Sequence, residues 1–273
     1  MRSDARALVA AVGEPPGQGD LGSAYRAAVA KVQSQPFDLP PGPSTPNLHF
    51  DVREPAAAAA LAYLLGEQVD PAELQLDAAA SAFARERFES AWGLLEQRGP
   101  RFLDSVRVLV GHFVFADHPP HEGQTSLRNA LGTVFWISPF DNWRARHFAD
   151  AIVHEATHQA LFLADMIHGC FSVDRQGLDA PSALALSSVR GIPRPYDLAF
   201  HAACVDAVLL SLFDSLGYRR ELQRRAEALA PALEDLAGKG EPLLSPAGRE
   251  ILREAIETME SAERRIAEAA AGS

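Results

Sequence analysis

His154-Glu155-Ala156-Thr157-His158 is the stretch whose reading decides both the fold and the chemistry of this chain. It lies in a run, from about Asn142 to about His168, that contains neither proline nor glycine, so helix is expected throughout. On a helix, residues four apart differ by about 40° in direction and about 6 Å in height. Both imidazoles then leave one face and can grip a single divalent cation. Glu155 projects beside them, within reach of a polarised water or of a ligand that needs orienting. A helix of this length at the centre of the chain, with more helical pattern after it, argues for a mainly α fold.

Downstream, Gly169 is a plausible stop. Residues 170–194 hold few apolar periods and many small residues, which reads as a long loop with room for a short strand. Pro195 opens a further helix through His201 and Asp206 to about Leu216. Two more helices follow, about 218–238 and 246–270, with Arg/Glu pairs at helical spacing over an Ala/Leu stripe.

Upstream, the apolar period changes. Ser105 to Asp117 and Ala130 to Ser138 are β-branched and aromatic, which predicts two strands. They are expected to pair antiparallel across a polar loop holding His118, Pro119, Pro120, His121 and Gly123. Asp141 or Asn142 is positioned to cap the pentad helix. Pro55 to about Gly66 predicts an alanine-rich helix, and Pro71 is expected to open one running to about Arg98, stopped by Gly99-Pro100. Residues 1–50 predict short helical pieces split by Pro15, Pro16, Gly17 and Gly19, then an extended connector through Pro36, Pro40, Pro41, Pro43 and Pro46. The expected fold is therefore mainly α (α+β), a helical metalloenzyme with a small antiparallel sheet next to the pentad helix. Its regions are 1–100, 101–216 as the metal-binding core, and 217–273 as a helical hairpin, packed as one compact domain.

Composition bounds the partners. The chain has 273 residues, 47% of them hydrophobic, enough for a sizeable core. A net charge of −11 repels phosphate backbones, so no nucleic-acid partner is expected. The apolar run Leu8-Val9-Ala10-Ala11-Val12 is short for a secretory signal, and no uninterrupted apolar stretch of about 18 residues occurs. A cytoplasmic protein with no membrane contact is expected. Cys170 and Cys204 form no C-x-x-C pair and read as small buried hydrophobes in a reducing compartment.

Two histidines hold a metal weakly, so a third protein ligand is expected, with open positions beside it. His201 is the first candidate, in Arg194-Pro195-Tyr196-Asp197-Leu198-Ala199-Phe200-His201. Asp197 is the rival and would complete a two-His, one-carboxylate set. His168 is excluded, because ten residues past His158 place it about 80° off in direction and about 15 Å along the helix. His112, His118 and His121 border the strand loop and read as exposed loop histidines.

The pentad together with Arg194-Pro195 leading to His201-Ala202-Ala203 resembles the HExxH-type peptide-modification family, the α-ketoglutarate-dependent peptide β-hydroxylases of ribosomal-peptide pathways. The resemblance covers about residues 105–215. It implies Fe(II) held by His154, His158 and His201, 2-oxoglutarate held at its distal carboxylate by Arg194 or Arg190, O₂ as co-substrate, and a precursor peptide whose side chain is hydroxylated at the β-carbon. The chemistry agrees with the residue types. A bidentate 2-oxoacid plus O₂ needs three open positions, which three protein ligands leave in an octahedral site, and a planar guanidinium matches a carboxylate. Under that reading Glu155 orients a ligand or the substrate. The strand over 130–138 is expected to offer its edge to an extended peptide. The alternative is a zinc metallopeptidase, in which Glu155 is the general base.

Overall fold

The computed structural model describes residues 2–12, 21–33, 46–65, 70–118, 123–138 and 142–271. The proline- and glycine-rich breakers expected between positions 13 and 45, Gly66, Pro119, Pro120, His121, Pro139 and Asp141 lie outside the described residues. Mainly helical architecture with a small sheet is what the chain adopts. It has two compact units, residues 1–163 and 164–273, and the division falls inside the helix that carries the pentad.

The first unit is built on a four-stranded sheet in the order β1 (Asn47–His49), β2 (His112–Ala116), β4 (Thr133–Ile137), β3 (Gly123–Ser126). The two predicted strands do pair, but in parallel: His112 is opposite Thr133 and Ala116 opposite Ile137. The expected antiparallel sheet is thus a mixed one. The loop between the two runs supplies β3, which pairs antiparallel with β4 from Gly123↔Ile137 to Ser126↔Val134. Gly-Gln-Thr-Ser carries no apolar alternation, which is why its sequence signal is weak. β1, in the segment expected to be an extended connector, adds in parallel to β2.

Every residue of β2 and β4 is buried, the mark of strands covered on both faces. Phe113, Phe115 and Trp136 share one face. Phe88 of α4 (Ala78–Arg98) packs edge-on against Phe113 at 4.9 Å, and Phe148 of α6 (Ala145–His168) stacks on Trp136 at 4.5 Å. Val114, Ala116, Phe135 and Ile137 on the other face pack with Ala57, Ala60 and Leu61 of α3 (Pro55–Leu65) and with Leu74.

Two helical boundaries differ from expectation. The segment opened by Pro71 is only a 3-10 turn, Pro71–Leu74, capped by Asp70. A fresh N-cap at Asp77, whose side chain accepts from the Ala80 amide at 2.7 Å, then starts α4. Ser105 to Leu109, predicted as strand, is the end of α5 (Pro100–Leu109). Pro100 at the first helical turn and the burial of Phe102, Leu103, Val106 and Leu109 at helical spacing override the β-branched preference. α1 (Arg2–Ala11) and α2 (Leu21–Val32) pack on α5.

The second unit is a bundle of α8 (Tyr196–Leu216), α9 (Arg219–Leu243) and α10 (Pro246–Ala271), the three downstream helices the periodicity predicts. α8 is apolar and long enough to cross a bilayer, but 61% of its most apolar window is buried in the protein. Gly217, at φ 76°, ends it with paired bonds to the carbonyls of Asp214 and Phe213, a conformation glycine adopts without strain. Gly248 lets α10 approach the backbone carbonyl of Cys170 so closely that a Cβ would lie 2.1 Å from that oxygen. The expected loop over 170–194 contains a short helix, α7 (Arg175–Asp179), and a hairpin of β5 (Ala185–Leu186) and β6 (Pro193–Arg194). The hairpin is tied to α9: the Leu186 amide donates to Asp235 at 2.7 Å, and Lys239 donates to the Leu184 carbonyl at 2.8 Å.

Candidate metal centre

The pentad spans the third and fourth turns of α6, in the first unit. The start of the helix is steadied by His147, whose Nδ1 accepts from the Arg144 amide at 3.0 Å, the side-chain-to-cap half of a capping box. Two residues then fix how α6 lies on the sheet. Gln159, fully buried, accepts from the Gly132 amide at 2.9 Å and donates to the Thr133 carbonyl at 2.9 Å. Ser126, at the end of β3, donates to the carbonyl of Glu155 at 3.4 Å. Neither stands out in the sequence. The one available signal for Gln159 is a polar residue placed directly after His158 on a helix whose neighbouring positions are apolar.

Within this frame the three pentad side chains converge. His154 Nε2 and His158 Nε2 are 3.2 Å apart, and Glu155 Oε1 is 3.8 Å from His154 Nε2. One ligand atom from each of the three lies within 4.8 Å of the others, the sole such cluster of three or more His, Cys, Asp or Glu among the described residues. Phe162 stacks on one side of the His158 ring, which meets the His154 ring edge-on. Thr157 turns its hydroxyl back onto the Val153 carbonyl and takes no part.

The residues fit a divalent cation on three counts. Two imidazole nitrogens 3.2 Å apart are spaced as they would be when they share an ion about 2.0–2.1 Å from each, with roughly 100° between them. Glu155 is 2% exposed, and its Oε2 is buried without a hydrogen-bond partner; a dry, half-unsatisfied carboxyl is costly unless a cation or a donor stands beside it. Burial accordingly pushes the Glu155 carboxyl up to about 7, offset in part by the Ser126 hydroxyl. A cation held by the histidines would draw it down again.

The remaining candidates lie in the second unit. His201 is half-buried on α8 beside Phe200. Asp197, one turn earlier, gives Oδ2 to Arg175 at 2.5 Å, and Arg175 also holds Asp179. Its Oδ1 is buried without a hydrogen-bond partner. Arg190 is exposed in the hairpin turn, and Arg194 is half-buried in β6. Among the described residues neither guanidinium forms an ion pair.

His112 is not a loop histidine. It opens β2, is 3% exposed, and its Nδ1 meets His49 Nε2 at 2.8 Å. Burial, with His49 and Arg26 nearby, pushes its pKa down to about 4. His118 is half-buried at the end of the sheet, its amide bonded to Ser138 Oγ. Neither cysteine forms a disulfide and both are buried, as expected, and burial raises the Cys204 thiol.

No protein-family model matches the chain, and no characterised protein is significantly similar to it.

Proposed function

We propose that this protein is an Fe(II)- and 2-oxoglutarate-dependent oxygenase that hydroxylates the β-carbon of a side chain in a ribosomally made precursor peptide. The observation that carries the metal-dependent part is the convergence of His154, His158 and the buried Glu155 on one turn of α6. The choice of iron and 2-oxoglutarate rests on the sequence resemblance, which extends from the pentad to the Arg194-Pro195 segment. His154, His158 and His201 would hold the metal, and Arg194 or Arg190 would pair with the distal carboxylate of the 2-oxoacid. When bound, the iron supplies oxidation of an unactivated C–H bond by O₂, with 2-oxoglutarate consumed to succinate and CO₂. The part of the chain itself is to orient: Glu155 fixes the neighbouring imidazole, Gln159 and Ser126 hold the helix, and the guanidinium selects a dicarboxylate over a monocarboxylic 2-oxoacid.

A second reading is supported by one specific feature. Glu155 keeps a buried oxygen without a hydrogen-bond partner beside the two imidazoles, the placement of a general base that takes a proton from an attacking water in a zinc peptidase.

Anaerobic addition of Fe(II) and 2-oxoglutarate decides between them. The oxygenase develops a visible charge-transfer band and, on admission of air, converts 2-oxoglutarate to succinate. Bound iron with no band rules the oxygenase out. Peptide cleavage that depends on Zn(II) and is abolished in Glu155→Gln, with metal retained, establishes the peptidase.

A further inference from the structure

β4, expected from the sequence to lend its edge to a peptide, has none to lend: β2 and β3 flank it on both sides. The strand next to the metal centre that does have a bare edge is β3. It ends the sheet, and among the described residues nothing pairs with its outer side. In an antiparallel strand, alternate residues turn both N–H and C=O away from the partner. Two of the four residues Gly123 to Ser126 therefore present a donor and an acceptor outward. All four are half-buried, so these groups lie along a partly sheltered rim. Such a row is satisfied by water or by another strand.

The position of this edge is specific. Ser126 pairs with Val134 on the sheet face that α6 covers, and its hydroxyl reaches the Glu155 carbonyl. Gln124, two residues earlier, is on the same face. A chain laid along β3 thus runs over about 13 Å and ends at Ser126, whose hydroxyl bonds the backbone of the pentad helix at Glu155. The side chains of β3 are hydrogen, amide and hydroxyls, with no apolar socket and no charge. An edge of this kind reads backbone and discriminates little by side chain.

We infer that the outer edge of β3 takes the substrate as an extended peptide strand, held by main-chain hydrogen bonds and delivered to the metal centre at Ser126. This rests on the proposed peptide-directed activity and defines how that substrate is held: as an unfolded segment, not as a side chain on a folded surface.

The test uses the full chain, immobilised without added metal, to select from a displayed library of random linear peptides. A selected peptide is then resynthesised with a single N-methyl group at each position in turn. Strand addition predicts that N-methylation weakens binding about fivefold or more at alternate residues and little at those between, since each outward bond lost costs about 1 kcal/mol. Gln124→Pro and Thr125→Pro provide the reciprocal test. Adjacent residues alternate in direction, so one proline deletes a β4 ladder bond and the other an outward donor; the better folded of the two should lose the peptide. Failure to select any peptide, N-methyl sensitivity without alternation, or full binding by the folded proline variant overturns the inference. Zn(II) titration of the same protein, followed by calorimetry, is scored separately. Metal binding with no strand pairing removes the inference alone, and strand pairing with no metal binding removes the enzymatic reading alone.

Discussion

Gln159→Leu is the most informative single perturbation of the pentad helix. The side chain is fully buried, and its amide satisfies two main-chain groups at the start of β4, the Gly132 N–H and the Thr133 C=O. Leucine matches the volume and offers neither bond. Two buried groups are then orphaned, at about 1–3 kcal/mol each. The added apolar burial offsets about 1 kcal/mol, leaving a net loss of about 1–5 kcal/mol. At roughly 2–4 °C per kcal/mol for a chain of this size, the midpoint should fall by about 2–20 °C. The same change releases α6 from its register on the sheet one residue after His158, so Zn(II) affinity should fall by about tenfold or more, as for other groups that orient metal ligands. Thermal unfolding followed by circular dichroism, with Zn(II) calorimetry at a temperature where the variant is still folded, measures both. Gln159→Glu keeps an acceptor for Gly132 but sets a carboxylate against the Thr133 carbonyl, so it should be destabilised more as pH rises. A Gln159→Leu protein within about 0.5 kcal/mol of wild type, or one that binds Zn(II) undiminished, refutes the claim that this amide sets the helix on the sheet.

The other predictions test separate parts of the molecule. Burial holds the folded-state pKa of His112 at about 4, below its ordinary 6.5. The unfolded chain therefore takes up the proton first, and stability present above pH 6.5 should decline by about 3 kcal/mol as pH falls toward 4. Urea midpoints across that range should show the decline in wild type and a flatter profile in His112→Gln. Gly248→Ala should destabilise the second unit by about 1–3 kcal/mol or more, because its Cβ would sit 2.1 Å from the Cys170 carbonyl oxygen; an unchanged unfolding midpoint contradicts that packing. Metal affinity measured for His201→Ala and Asp197→Ala assigns the third ligand. A larger loss, about tenfold or more, is expected for His201→Ala, since Asp197 already gives one oxygen to Arg175. The reverse order transfers the role to Asp197.

The centre of the site was legible because it is local. Two histidines and a glutamate within five residues need only a helix to meet, and a run without proline or glycine makes one. The long helices of the second unit were legible for the same reason: their apolar period is written in consecutive turns. The sheet was not. β2 and β4 announce themselves by composition, but whether two apolar strands run parallel or antiparallel depends on what lies between them, and β3 is too short and polar to signal itself. Ser105 to Leu109 reads as strand by residue type and is helix by packing, because burial of Phe102, Val106 and Leu109 on one face outweighs a propensity difference of tenths of a kcal/mol. His112 looks like a loop residue until the parallel ladder of β1 and β2 brings His49 to it across more than sixty positions.

What the amino-acid sequence determined by itself is the helical class and the turn that brings His154, Glu155 and His158 together, since both follow from interactions between residues three or four apart. What tertiary structure alone decided is the order and direction of the strands, the free edge of β3, and the anchoring of the pentad helix by Gln159 and Ser126. Those depend on pairing between distant segments, where hydrogen bonds are satisfied only once the partners have been brought together, and no local periodicity encodes which partners they are.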